Sequence, residues 1–223
     1  MTRRIEIVEN ILNANDRIST INRSILDNAG VFSINLMASP GAGKTSLIEN
    51  TLALLARQLQ IAVIDGDIAT DLDTQRAIRA GAIAHQINTG GECHLDAKMV
   101  NEALIKINLD KVDLLIVENV GNLICPATFQ LGTHKSVLVA SIPEGDDKPY
   151  KYPGMYRGVD ALVINKIDLL PYIDFDLTYF KRGVEILNPG LRTFELSCRT
   201  GEGLEQWVAW LTTEINLVKA SAL

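Results

Sequence analysis

Residues 1–28 carry Ile5, Val8, Leu12, Ile18, Ile21 and Ile25 at mostly helical spacings, with polar residues between them. That periodicity predicts an amphipathic helix, or two in succession, docked on the rest of the chain. Beyond Gly30 the pattern changes. Short apolar runs ("VFSINLMA", "IAVID", "AIAHQI", "DLLIVE", "SVLVASI", "DALVIN", "RTFELS") alternate with segments of helical length, the longest being residues 44–58, 95–108, 175–187 and 203–219. Strands that are apolar throughout predict a largely parallel sheet with helices on both faces. The expected fold class is α/β. No repeat, low-complexity stretch or linker breaks the pattern. Residues 1–223 therefore read as a single domain, with the helical segment 1–28 packed against it.

Composition narrows the function more than the fold. An apolar fraction of 47% is ample for a core, and a net charge of −6 argues against a nucleic-acid binder, which needs a basic face. No apolar run reaches the roughly 18–20 residues of a membrane span. "MTRRIEIVEN" has two arginines but no apolar stretch behind them, so no secretory signal is expected. Three cysteines cannot all pair with one another. The expectation is a reduced, cytoplasmic chain whose cysteines are core residues, ligands or catalysts.

Residues 35–55, "NLMASPGAGKTSLIENTLALL", hold the close of a phosphate-binding loop, GxxxxGK(S/T), at Gly43-Lys44-Thr45. Ala38 stands where the pattern has its first glycine. The context is nevertheless a strand, a glycine loop and a helix. In that arrangement the backbone N–H groups of Gly41, Ala42, Gly43, Lys44, Thr45 and Ser46 cradle phosphate oxygens at a helix N-terminus. Lys44 would neutralise β/γ-phosphate charge, and the Thr45 hydroxyl would ligate Mg²⁺. Ala38 falls at the strand end, where a Cβ is tolerated. Gly41 and Gly43 stand where backbone must approach phosphate.

Asn165-Lys166-Ile167-Asp168 ends another apolar run. The Asp168 carboxylate can accept hydrogen bonds from guanine's ring N–H and exocyclic amine, a pair of donors that adenine lacks. Asn165 would brace the neighbouring loop, and the Lys166 stem would cover the base. Ser197-Cys198-Arg199 closes the next run and resembles the SAK loop whose backbone contacts guanine in GTPases. The three motifs occur in GTPase order, each at a strand end. The expected ligand is GTP, hydrolysed to GDP and phosphate.

Between them, "DLLIVENVG" places Gly121 three positions after Glu118, the spacing of a DxxG element. Glu118 would hold Mg²⁺ through water, and the Gly121 N–H would meet the γ-phosphate. "IAVIDGDIATDLDTQR" carries Asp65, Asp67, Asp71 and Asp73. Asp67, just past the strand end, is the candidate nearest Mg²⁺ and the attacking water, and with Lys44 makes the expected catalytic pair. The other three are expected to be caps or solvated surface. Asn122 stands where many GTPases keep a water-positioning glutamine, so intrinsic turnover should be slow.

Cys93-His94 and Cys125 lie in polar, glycine-containing loops. Thiolate and imidazole suit Ni²⁺, Zn²⁺ or copper rather than Mg²⁺. Three ligands fall short of a closed tetrahedral site, a shortage that a second subunit would answer. Cys125 also shares its loop with Glu118 and Gly121. Cys198 is expected to be structural, while His85 and His134 have no evident partner.

With these residues the chain resembles the nickel-insertion GTPases of nickel–iron hydrogenase maturation, in the metal-handling branch of the SIMIBI class of P-loop NTPases. The shared segments include "IVENILNANDRISTINR", "SPGAGKTSL", "DGDIATDLD", "GGECHLDA", "ENVGNLICPA", "PEGDDKPYKYP" and "VINKIDLL", and span essentially the whole chain. The resemblance implies a nucleotide-dependent homodimer that binds Ni²⁺ or Zn²⁺ through Cys93, His94 and Cys125 near the subunit interface. It also implies delivery of nickel to a hydrogenase large-subunit precursor, together with a second nickel-binding maturation protein. The sequence has neither the histidine-rich stretch nor the CxxCGC site of some relatives, so nickel storage is not expected. A nickel-loading GTPase for urease is the nearest alternative. Its metal motif is Cys-Pro-His, whereas Ala127 follows Cys125-Pro126 here.

Overall fold

The computed structural model describes residues 2–67 and 72–222, with side chains described for 10–66 and 74–222. Helix α1 (Thr2–Ala29) precedes strand β1 (Phe32–Ala38), helix α2 (Lys44–Leu55) and strand β2 (Ile61–Asp67). Helix α3 (Leu72–Arg79), strand β3 (Ile83–Asn88), helix α4 (Ala97–Leu104), strand β4 (Leu114–Glu118) and strand β5 (Lys135–Ser141) follow. The chain then runs through short helices α5 (Lys148–Lys151) and α6 (Pro153–Arg157), strand β6 (Ala161–Asn165), helix α7 (Leu177–Leu187), strand β7 (Arg192–Glu195) and helix α8 (Leu204–Ser221).

The strands form one seven-stranded sheet in the order β3-β2-β4-β1-β5-β6-β7, and every pairing is parallel. β1, β4 and β6 are buried along their whole length, which is why their sequences are apolar without alternation. On one face Leu47, Ile48 and Leu52 of α2 and Trp207, Leu211 and Ile215 of α8 pack on Ile34, Leu36, Val63 and Val139. On the other, α4 covers Ile64 and Val117 with Val100 and Leu104, while α6 and α7 cover Leu138 and Ile164 with Tyr156 and Phe180. The order reverses at β1, between β4 and β5, so a crevice opens beyond its C-terminal end. Open α/β sheets bind ligands at such a point.

The N-terminal segment is one helix, and its buried face differs from the expected stripe. Ile21 is 53% exposed, whereas Asn15, Ser19, Asn22 and Leu26 are buried. Ile5 and Val8 lie outside the described side chains. The helix is held largely by hydrogen bonds. Asn15 donates to Gln130 O (2.9 Å) and accepts from Ala97 N (2.9 Å). Asn22 donates to Ala97 O and Leu131 O (2.8 and 2.9 Å) and accepts from Asn101 Nδ2. Apolar periodicity cannot report a docking face built from amides.

His134, for which the sequence offers no evident partner, pins α1 to the sheet. Its Nδ1 accepts from Ser33 N (3.1 Å), which leaves Nε2 to donate to Asp27 Oδ1 (2.9 Å). Burial, then the Arg23 charge, lowers its pKa from 6.5; Asp27 opposes this, and Lys135 adds a further lowering. The unfolded chain therefore takes up the proton first. Stability that is complete above about pH 6.5 is lost as pH falls through that value toward the lowered one. Protection factors of the α1 amides, taken relative to intrinsic exchange at each pH, are expected to fall between pH 7 and 5, and His134→Gln should flatten that dependence. An unchanged pH dependence in the variant would contradict this role.

Candidate functional site

β1 ends at Ala38, whose side chain is fully buried in the core, so the alanine at the first glycine position costs the loop nothing. Gly41 (φ 77°) and Gly43 (φ 104°) adopt left-handed backbone that other residues resist. A Cβ on Gly43 would also collide with Asn165 Nδ2. Lys44 then opens α2. The loop is braced from outside: Asn165 donates to Ala42 O (2.9 Å) and Lys166 Nζ donates to Gly41 O (2.7 Å). Asn165 Oδ1 accepts from Lys166 N (2.7 Å) and Cys198 N (3.2 Å), so this one side chain joins all three expected nucleotide motifs.

Two cavities flank this brace. One, of about 310 Å³, is lined by Ser46, Asn165, Lys166, Asp168, Cys198 and Arg199. The buried Ser197 hydroxyl donates to Asp168 Oδ1 (2.6 Å) and accepts from the backbone N–H groups of Arg199 and Thr200, fixing the carboxylate and the loop together. Burial pushes the Cys198 thiol up to about 11, so it stays protonated, as a structural residue would. The other cavity, about 550 Å³, is lined by Gly41, Lys44, Thr45, Arg76, Glu118 and Gly121 among others. Thr45 Oγ1 donates to Glu118 Oε1 (2.9 Å), which brings a hydroxyl and a carboxylate of the kind Mg²⁺ takes to one point. Gly121 faces Pro40, and a Cβ there would sit 3.2 Å from it.

The acidic segment after β2 is only partly described. Asp67 closes the strand, but its side chain and that of Asp73 lie outside the described ones, as does residue Asp71. Asp65 corrects an expectation. It is buried rather than solvated and accepts from Thr74 Oγ1 (2.9 Å), tying β2 to α3.

The sulfur and imidazole side chains converge on a separate point. One ligand atom each from Cys93, His94 and Cys125 lie within 4.8 Å of one another. Cys93 Sγ is 3.0 Å from Cys125 Sγ and 3.8 Å from His94 Nδ1, and Phe129 stacks on the His94 ring at 4.0 Å. The hydrogen bond with Cys93, followed by burial, pushes the Cys125 thiol up. The donor set suits a borderline or soft cation.

Three residues make linking contacts that the sequence reading did not assign to them. Asn119 Oδ1 accepts from Leu95 N (3.0 Å) and Val120 N (2.9 Å), while its Nδ2 donates to Asn35 on β1. Asn122 donates to Cys93 O (3.3 Å) and accepts from Ile124 N (2.8 Å). The loop after Glu118 is thereby tied to the Cys93-His94 loop at two places. Glu144 receives the Ser39 hydroxyl and caps Ser141, joining the phosphate loop to "PEGDDKPYKYP". Its position three residues after Ser141, a capping-box spacing, was the available signal.

Residues 32–195 match the family model described as "CobW/HypB/UreG, nucleotide-binding domain". The chain is 45% identical over 210 residues to the hydrogenase maturation factor HypB of Azotobacter vinelandii, covering 94% of this chain and 69% of that protein. The chain belongs to the HypB family. A crystal structure of HypB from Helicobacter pylori in complex with nickel superposes with a TM-score of 0.87 at 35% identity, covering 91% of this chain and 95% of that one. HypB from Archaeoglobus fulgidus gives 0.86 at 38% identity, with 92% and 100% covered. The HypB fold is that of the P-loop GTPases, with α1 added ahead of the sheet. No helix among the described residues is long and apolar enough to cross a membrane.

Proposed function

We propose that the protein is a Mg²⁺-dependent GTPase that works as a metallochaperone switch, delivering nickel to the large-subunit precursor of a nickel–iron hydrogenase. Membership of the HypB family supports the process, and the two cavities support the nucleotide. The base sits against Asp168, Lys166 and the Ser197–Arg199 loop. The phosphates lie on the backbone N–H groups of residues 41–46, with Lys44 beside the β- and γ-phosphates. Thr45, Glu118 and Asp67 would hold Mg²⁺ directly or through water, which would supply neutralisation of the phosphate charge. Gly121 reads the γ-phosphate.

Nickel, or zinc in its place, is the cargo of Cys93, His94 and Cys125. Three ligands leave positions open, which a second copy fills in a nucleotide-dependent homodimer. A second nickel-binding maturation protein works alongside it, in the cytoplasm. One observation carries this reading: the loop that leaves Glu118 and Gly121 reaches Cys125 four residues later and is bonded through Asn119 and Asn122 to the strand-end loop of Cys93 and His94.

Equilibrium dialysis against Ni²⁺ tests the cargo site. Cys125→Ala is expected to weaken nickel binding by more than the roughly 10- to 100-fold typical of losing an outer hydrogen-bond partner, and Asn122→Ala by an amount within that range. Loss of hydrogenase activity on deleting the gene, recovered by added nickel, tests the delivery. Parental nickel affinity in Cys125→Ala would remove the metal reading, and a deletion strain with full activity would remove the delivery.

A further inference from the structure

Arg76 of α3 lines the 550 Å³ cavity together with Lys44, Thr45, Glu118 and Gly121, and does not line the base cavity. Its Nε and Nη2 donate to Glu49 Oε1 and Oε2 at 2.8 and 2.7 Å, a two-point grip that fixes the plane of the guanidinium. Glu49 lies one turn beyond Thr45 on α2, so its carboxylate stands on the same helix face as the hydroxyl expected at Mg²⁺. We propose that Arg76 is a catalytic residue, a guanidinium supplied by the same chain that contacts the γ-phosphoryl oxygens of bound GTP during hydrolysis. The proposal rests on reading this cavity as the triphosphate site.

In the reaction a water oxygen bonds to Pγ as the bond from Pγ to the β,γ-bridging oxygen breaks. GDP leaves with that electron pair, and the water's proton passes to phosphate or solvent. Arg76 transfers no proton. It stabilises negative charge on the oxygens of the transferring group, work for which a planar, permanently charged and weakly hydrated cation is suited. Glu49 positions it beforehand, so that little reorganisation is left for the reaction itself. The competing account is a tie between α3 and α2. Both partners are about one-third exposed (36% and 35%), and ion pairs that water reaches contribute little to stability. A tie would also have no need to stand in the cavity wall.

Single-turnover GTP hydrolysis by the full chain, alongside GDP binding with and without aluminium fluoride, tests this. Arg76→Ala is expected to lower kcat by about 100-fold or more, below the 10³–10⁵ range of arginines supplied to other GTPases because the intrinsic rate is already slow. KM and GDP affinity should change by less than about threefold, and the fluoride-dependent complex should be lost. Arg76→Lys should recover only part of the rate, since a point charge lacks the planar fork. Glu49→Gln, which keeps the cation and loosens it, should lower kcat by roughly tenfold at unchanged KM. Arg76→Ala at the parental kcat, or a fall in GDP affinity that matches the fall in GTP affinity, overturns the role. If the parent neither binds GDP nor hydrolyses GTP, the reading of the cavity falls and this inference with it. A parent that turns over beside an equally fast Arg76→Ala removes the inference alone.

Discussion

Replacing Lys44 with alanine is expected to abolish GTP turnover, lowering it by about a thousandfold or more, while the fold stays intact. Lys44 is the first residue of α2 and is half-buried at the wall of the phosphate cavity rather than in the core. The helix around it is held by Leu47, Ile48 and Leu52 beneath and by the Trp207 indole donating to Thr51 (2.9 Å). None of these contacts involves the ammonium group. In the proposed site its charge would act on the phosphates, where removal of one fixed donor commonly costs 10²–10³. Phosphate release is the assay, with circular dichroism to confirm the fold. A Lys44→Ala protein that hydrolyses GTP at the parental rate would remove the phosphate-loop reading, whatever the motif.

Asp168→Asn is expected to exchange the base. Ser197 holds one carboxylate oxygen at 2.6 Å, so the aspartate is set in place before a base arrives. A carboxylate accepts from guanine's ring N–H and exocyclic amine. An amide presents a donor where one of those donors arrives, and suits xanthine instead. Against adenine the parent carboxylate would be desolvated and unpaired, so roughly 10⁴-fold discrimination between GTP and ATP is expected, on the scale of sites built to hydrogen-bond their substrate. The variant should lose GTP affinity and gain xanthosine triphosphate affinity, read in competition against a fluorescent GDP. Comparable ATP and GTP affinities in the parent would end the base assignment.

The sheet was legible because β1, β4 and β6 are buried on both faces, which leaves an uninterrupted apolar run in the sequence. The phosphate loop was legible because its geometry requires glycine at Gly41 and Gly43, the two positions with positive φ. The docking of α1 was not, since Asn15 and Asn22 bury amides whose partners lie 75 to 115 residues away. The same holds within the site. The motifs named Glu118, Gly121 and Cys125. The bonds from Asn119 to Leu95 and from Asn122 to Cys93 join residues 24 and 29 apart, and nothing local announces them. Arg76 and Glu49 are likewise an ordinary arginine and an ordinary glutamate until two helices bring them together. Asp65 was misjudged because its partner Thr74 stands nine residues on, in α3, which an acidic run does not reveal.

GTP state and metal affinity should be coupled through the loop from Glu118 to Cys125. If that loop has two arrangements, the γ-phosphate at Gly121 and the metal at Cys125 each bias them, and linkage makes the effect reciprocal. Dimer closure over GTP would add to it by bringing two sets of Cys93, His94 and Cys125 together, with Lys148 of the "PEGDDKPYKYP" segment at the closing surface. The direct measurement is a Ni²⁺ titration of the protein loaded with GDP and with a non-hydrolysable GTP analogue, Cys125→Ala serving as control. Affinities should differ by about 5- to 150-fold between the two states, the range of a coupling of about 1–3 kcal/mol, with no such difference in Cys125→Ala. Identical affinity, stoichiometry and coordination geometry in both nucleotide states would contradict it.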